Sequence, residues 1–153
     1  MGKFTRIAAG CAALSLLIPA PANAAGMSGA EKLRRLDIML MVTALRCRTG
    51  ADNFQADYGA FTTSHLGELN AASDALKSDM AARFGAAAAN RAVDRLSVTM
   101  ANTYGQGHPW LGCGELKMVA RNLANARGLA VLEEAADQLL ASSGSPQIAY
   151  ARR

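Results

Sequence analysis

Hydrophobic residues along this chain recur every three or four positions, which is the period of an amphipathic α-helix. No run alternates apolar and polar residues at period two, so β-strands are not expected. The first stripe predicts a helix over about residues 29–49, which begins at an S-x-x-E capping box formed by Ser28 and Glu31. It carries Cys47 on its inward face, and Gly50 is predicted to end it in a left-handed conformation.

Three further stripes follow the first. The second covers residues 54–84 and is the most regular, although glycines weaken its middle, so either one long helix or two in line would fit it. Gly85 is predicted to stop it. The third stripe runs over 89–104, and the fourth over 115–141 with a kink or break at Gly128.

These stripes predict an all-α fold, a small antiparallel bundle of four to five helices with one disulfide. The composition agrees, because 51% of the residues are hydrophobic but only 5% are aromatic, which suits a core of Leu, Met, Ala and Val. We expect one helical domain over residues 25–141. A mobile C-terminal tail is expected over residues 142–153, because its Ser-Ser-Gly-Ser-Pro start has the composition of a linker.

Residues 1–24 have the layout of a cleavable secretory signal peptide. A short apolar run over 7–17 follows two basic residues, and small residues at 22–24 suit a signal peptidase. Cys11 gives a faint likeness to a lipoprotein site, but the leucine-rich part of the apolar run follows it instead of preceding it. We therefore expect a periplasmic or secreted protein that begins near Ala25 and has no membrane span after cleavage.

Signal cleavage also changes the net charge. Lys3 and Arg6 leave with the signal peptide, so the formal charge falls from +4 to +2, and Arg152 and Arg153 account for the remainder. The folded body is then close to neutral, and we expect no nucleic-acid partner.

Two cysteines, Cys47 and Cys113, remain after cleavage. In an oxidising compartment such a pair is read as a disulfide, here joining the end of the first helix to the start of the fourth. The alternative is a metal site that adds His65 and His108 to the two thiolates, a set that zinc accepts. No pair of these residues has the short spacing typical of metal ligands, so we expect neither a metal nor a cofactor.

Residues 104–114, with the sequence YGQGHPWLGCG, form the most distinctive segment and hold the only tryptophan. We expect Trp110 and Leu111 to close the open end of the bundle while His108 faces solvent, because an indole gains most from burial. The alternative is a recognition surface that displays His108 and Trp110. The glycines do not form a nucleotide-binding fingerprint, and the chain has no Walker, G-x-S-x-G or H-E-x-x-H motif.

Three of the candidate site residues lie in this segment, and two lie earlier in the chain. The predicted binding residues are His108, Trp110, Tyr104 and Tyr58. His65 lies on the second stripe, where we expect a core histidine with one hydrogen-bonded nitrogen. The alternative places it with Tyr58 in a pocket beneath the loop, as a proton carrier or pH sensor. No catalytic residue is assigned, and the candidates for acid–base chemistry are His108, His65 and Tyr104.

Two runs resemble a group of short exported bacterial proteins of unassigned function. They are EKLRRLDIMLMVTALRCR at residues 31–48 and YGQGHPWLGCG at residues 104–114, and the likeness would cover most of residues 31–140. Some similar sequences carry the transferred name S-adenosyl-L-homocysteine hydrolase. That enzyme family implies a large chain with NAD on a Rossmann domain. This chain has neither the length nor the fingerprint, so none of that family's catalytic residues can be placed here.

The sequence therefore predicts an exported, non-enzymatic helical module that binds a partner protein or a small apolar ligand. Adaptable methionines suit such contacts: Met39, Met41, Met80, Met100 and Met118. The alternative is a small hydrolase or lyase that uses His108, with or without His65, as acid–base groups. That function requires the imidazoles to converge with a carboxylate or Tyr104 in reach. A third hypothesis is a metal-responsive protein.

Overall fold

The structure is a computed structural model of the chain, and it describes residues 27–140. The predicted signal peptide at 1–24 and the predicted tail at 142–153 lie outside the described residues.

The described part of the chain is all-helical, which confirms the predicted fold class. Its helices are α1 Gly29–Arg46, α2 Gln55–Ser64, α3 Leu66–Phe84, α4 Ala86–Tyr104, α5 Cys113–Asn125 and α6 Leu129–Leu139. Six helices exceed the predicted four to five, because the second and fourth stripes are each interrupted. None of these helices is both long and apolar enough to span a membrane.

Helix α1 is the centre of the bundle, because it packs against all five other helices. Its inward stripe is fully buried, including Leu33, Leu36 and Leu40. The main core joins this stripe to α2, α5 and α6. A second, smaller core lies between α3 and α4, which pack closely against each other. Burial of Leu-sized side chains stabilises such a core by about 1.5–3 kcal/mol each.

The start of α1 matches its predicted cap in part. The Ser28 hydroxyl accepts a hydrogen bond from the Glu31 backbone N–H at 3.2 Å. The reciprocal half of a capping box is absent from the contacts of Glu31 among residues 27–140, because its carboxylate pairs instead with Arg35 one turn later.

The predicted end of α1 is wrong. The helix ends at Arg46, and Gly50 does not have a positive φ. From Arg48 onward the backbone hydrogen bonds tighten to a three-residue span, as in Arg48 N–H to the Leu45 carbonyl and Gly50 N–H to the Cys47 carbonyl. Consecutive tight turns reverse the chain, so no left-handed residue is needed.

The second stripe forms two helices, α2 and α3, with the break at His65. His65 has φ −118° and ψ 22°, and is at once the last cap of α2 and the first cap of α3. The hydroxyls of Thr62 and Thr63 both donate to the Gly59 carbonyl, and such bonds compete with the helical ladder. The stripe also ends early: Phe84 is 52% exposed, with the Arg83 guanidinium over its ring. Gly85, at φ 84°, does end α3. The predicted break at Gly128, at φ 92°, lies between α5, which ends at Asn125, and α6, which Gly128 caps at its start.

The predicted disulfide is confirmed. Cys47, the cap residue of α1, is bonded to Cys113, the first residue of α5, with the two Cα atoms 5.8 Å apart. The bond closes a loop of 66 positions. A loop of that length corresponds to about 4 kcal/mol of stability in the chain-entropy account.

Candidate functional site

The loop between α4 and α5, residues 105–112, crosses the end of α1; we call it the end loop. It turns at Gly107, whose φ is 111° and whose N–H donates to the Tyr104 carbonyl at 2.9 Å. A side chain at position 107 would meet Arg46, since its Cβ would lie 3.2 Å from the Arg46 Nε. At the far end, the Gly112 N–H donates to the Glu115 carboxylate at 2.8 Å.

His108 is the buried polar residue of the end loop. Its side chain is only 9% exposed, and its Nε2 lies 2.9 Å from the carbonyl of Leu139, the last residue of α6. A carbonyl only accepts, so Nε2 carries the hydrogen and donates. The ring stacks on Tyr104, with the centroids 5.6 Å apart, and is nearly perpendicular to the indole of Trp110, with the centroids 4.5 Å apart.

This arrangement corrects the predicted packing of the loop. Leu111 is buried as expected, but His108 is buried with it, while Trp110 is only half-buried. The last carbonyls of a helix lack partners within the helix, so an imidazole N–H that bonds the Leu139 carbonyl satisfies a group that an apolar plug would leave unpaired.

Burial lowers the pKa of His108, and the Leu139 carbonyl and the Glu115 carboxylate offset part of that effect. Its other nitrogen, Nδ1, is buried without a hydrogen-bond partner among the described residues. The neutral ring therefore suits this position, because protonation would place a second N–H and a charge there.

His65 is the core histidine that the sequence predicts. Its side chain is 1% exposed, and its Nε2 donates to the Leu123 carbonyl in α5 at 2.8 Å. Its ring lies 5.4 Å from that of Phe61, and its Nδ1 lies 3.7 Å from a Glu68 oxygen. None of these partners contacts His108 through a hydrogen bond or ring contact, so the two imidazoles occupy separate environments.

Tyr58 is placed with α1 and not with the end loop. Its hydroxyl donates to the Asp37 carboxylate at 2.8 Å, and Arg34 lies 3.4 Å from the other oxygen of that carboxylate. Burial raises the pKa of Asp37, while Tyr58 and Arg34 act in the opposite direction. Burial and the adjacent Asp37 raise the pKa of Tyr58. The cluster therefore braces α2 against α1.

A cavity of about 310 Å³ opens beside the end loop; we call it the loop pocket. It contains two of the predicted binding residues, Tyr104 and Trp110, whereas His108 contacts the rings of both without lining the pocket. The lining residues are Met27, Arg35, Met100, Thr103, Tyr104, Pro109, Trp110 and Leu140. Among the described lining residues, two are aromatic and one is charged.

Sequence reasoning missed Arg35. Its Nε and Nη2 lie 2.8 and 2.6 Å from a Glu31 oxygen, and its Nη1 lies 3.0 Å from the Met100 sulfur. The spacing of Glu31 and Arg35 predicts a surface pair one helical turn apart. The pairing of α1 with α4, which brings Met100 and Tyr104 to the same guanidinium, has no local signal in the sequence.

Two other features bear on function. A larger cavity of about 830 Å³ lies where the start of α1 meets α3 and α4, and its charged lining residues are Glu31, Asp79, Arg83 and Arg95.

The disulfide consumes the thiolates of the hypothetical zinc site. Within residues 27–140 no group of three or more His, Cys, Asp or Glu side chains is placed to hold a metal ion.

Comparison of the chain with protein-family models, curated proteins and solved structures found no match in any of the three.

The positive φ at Gly107 predicts a stability effect. Gly107→Ala is expected to lower the free energy of unfolding by about 1–3 kcal/mol, because it combines a strained backbone with a close contact to Arg46. Gly59→Ala is the matched control: it lies inside α2 with nothing within 4 Å of the added carbon, and should raise stability by up to about 1 kcal/mol. Urea unfolding measures both. Equal effects at the two positions would contradict this account of the loop.

The lowered pKa of His108 predicts a pH dependence. The unfolded state takes up the proton near the ordinary value of about 6.5, before the folded state does, so stability is lost as the pH falls through and below that value. His108→Gln keeps an N–H donor for the Leu139 carbonyl but does not titrate. Between about pH 7.5 and about pH 5.5 the wild type should lose more stability than this variant in urea unfolding. Parallel pH profiles would refute the assignment.

Proposed function

We propose that this chain acts outside the cytoplasm as a non-enzymatic binding module whose loop pocket takes a small apolar ligand. The observation that carries the proposal is the loop pocket itself. Two aromatic residues, Tyr104 and Trp110, line one cavity, and the end loop that supplies Trp110 is fixed by a disulfide at one end.

The export part of the proposal is supported by two independent features. Residues 1–24 have the layout of a secretory signal peptide, and the body contains the Cys47–Cys113 disulfide. Disulfides of this kind persist in oxidising compartments and are rare in the cytosol. A periplasmic or secreted location accounts for both features.

The binding part is supported by the shape and chemistry of the loop pocket. Its volume of about 310 Å³ is within the range of small-molecule sites. Tyr104 is held by the end of α4 and by stacking on His108, so that side of the pocket is preformed. Trp110 is half-buried, which leaves part of the indole for a ligand to cover.

The enzymatic alternative, a hydrolase or lyase that uses His108 and His65, draws less support. Neither histidine lines the loop pocket, and no carboxylate from the described part of the chain does. The Nε2 of each is engaged by a backbone carbonyl, at Leu139 and Leu123. General acid–base catalysis requires a titrating group within reach of a bound substrate.

Intrinsic fluorescence tests this function directly, because Trp110 is the only tryptophan. Titration with a neutral apolar probe, 3-phenylpropanamide, should give a saturable change in its emission, with a Kd on the order of 1 mM for a ligand this small. Ligand-observed NMR should show that Trp110→Ala weakens binding at least about tenfold.

The matched control for that titration is Phe84→Ala, which removes an exposed aromatic ring from the larger cavity and leaves the loop pocket intact. It should bind the probe like the wild type. An unsaturable response in the wild type, or an equal loss in both variants, would reject the loop pocket as a binding site. If the chain captures a partner protein and Trp110→Ala does not weaken that capture, the binding surface lies outside the loop pocket.

A further inference from the structure

Charge distinguishes the loop pocket from a purely apolar cavity. Among residues 27–140, Arg35 is the only charged residue that lines it, and no acidic side chain of that range does. The Arg35 side chain is about a quarter exposed, at 26%, so its charge is neither buried away from a ligand nor free in bulk solvent. A ligand in this cavity therefore meets the Arg35 guanidinium, which is already paired with Glu31 on one side.

The guanidinium of Arg35 is also held in one orientation. Glu31 accepts from its Nε and its Nη2 on one side. The remaining nitrogen, Nη1, donates to the Met100 sulfur at 3.0 Å. A thioether is a weak acceptor for a charged donor, so a stronger acceptor that enters the pocket can take over this N–H.

Tyr104 supplies a second polar group beside the first. Its hydroxyl has no hydrogen-bond partner among the described residues, and the Arg35 charge acts on it across the same pocket. Burial raises the pKa of Tyr104, so its hydroxyl keeps its proton and can donate. Arg35 and Tyr104 together offer donors to one ligand group.

We propose that the ligand of the loop pocket is a small monocarboxylate with an apolar body. The carboxylate accepts from Arg35 Nη1 and the Tyr104 hydroxyl in place of the Met100 sulfur, and the apolar body packs against Trp110. Glu31 already shares the guanidinium but does not line the pocket, so the ligand carboxylate binds on the opposite side of Arg35. This inference rests on the proposed function and adds the ligand class to it.

Three probes with the same phenylpropyl body test the class: 3-phenylpropanoate, 3-phenylpropanamide and 3-phenylpropan-1-amine. At about pH 7 they are an anion, a neutral molecule and a cation. Ligand-observed NMR titration of the purified protein should give a Kd for the anion at least about tenfold lower than for either of the others. Arg35→Gln should raise the Kd of the anion to that of the amide. The control Arg91→Gln, which removes the same charge from an exposed position on α4, should leave the preference intact.

The outcomes separate the two proposals. Equal binding of the three probes, or tightest binding of the amine, overturns the carboxylate class and leaves the proposed function standing. Failure of all three to bind overturns both. If Arg35→Gln does not fold, the salt dependence of binding to the wild type tests the role of Arg35. Added NaCl should weaken binding of the anion and leave binding of the amide unchanged. An equal response of the two probes would reject that role.

Discussion

The Cys47–Cys113 disulfide is the constraint on which the distinctive end of this molecule depends. It joins the cap residue of α1 to the first residue of α5 across 66 positions of sequence. The end loop is consequently fixed at Cys113 by a covalent bond and at Tyr104 by the end of α4. A loop that is held at both ends loses much of its freedom before any side chain packs, which lowers the entropic cost of ordering it.

Within that frame, polar groups at helix ends decide which loop residue is buried. His108 and His65 have the same structural role, because each donates a ring N–H to a carbonyl in the last turn of a helix. A buried N–H needs an acceptor, and the Nε2 hydrogen of each histidine has one in a helix carbonyl. Trp110 is thereby left half-buried at the rim of the loop pocket. The core packing and the candidate site are thus two consequences of one set of contacts.

Much of the fold follows from the sequence because it depends on local patterns. The apolar period predicts the buried face of α1, and Gly85 ends α3 at a positive φ that glycine tolerates. The predicted break at Gly128 lies between α5 and α6. The two cysteines that remain after the predicted signal cleavage predict a bond with each other, and the structure contains it. The apolar stripe and the glycine positions are patterns of a few residues, and the two remaining cysteines can pair in only one way.

The parts that could not be predicted depend on contacts between distant residues. The break at His65 coincides with its bond to Leu123, and the burial of His108 with its bond to Leu139. The spacing of the apolar residues does not indicate either carbonyl partner. Arg35 reads as half of a surface pair on α1, and only the packing of α1 against α4 places it in a pocket with Tyr104. Sequence periodicity gives a residue's face but not its partner.

Amide hydrogen exchange on the oxidised and the reduced protein tests most directly whether the disulfide holds the end loop in place. On reduction, exchange should accelerate over residues 104–116 and at the end of α1, while the hairpin of α3 and α4, which has its own small core, keeps its protection. Unchanged exchange over the end loop, or equal loss of protection throughout the bundle, would contradict this account.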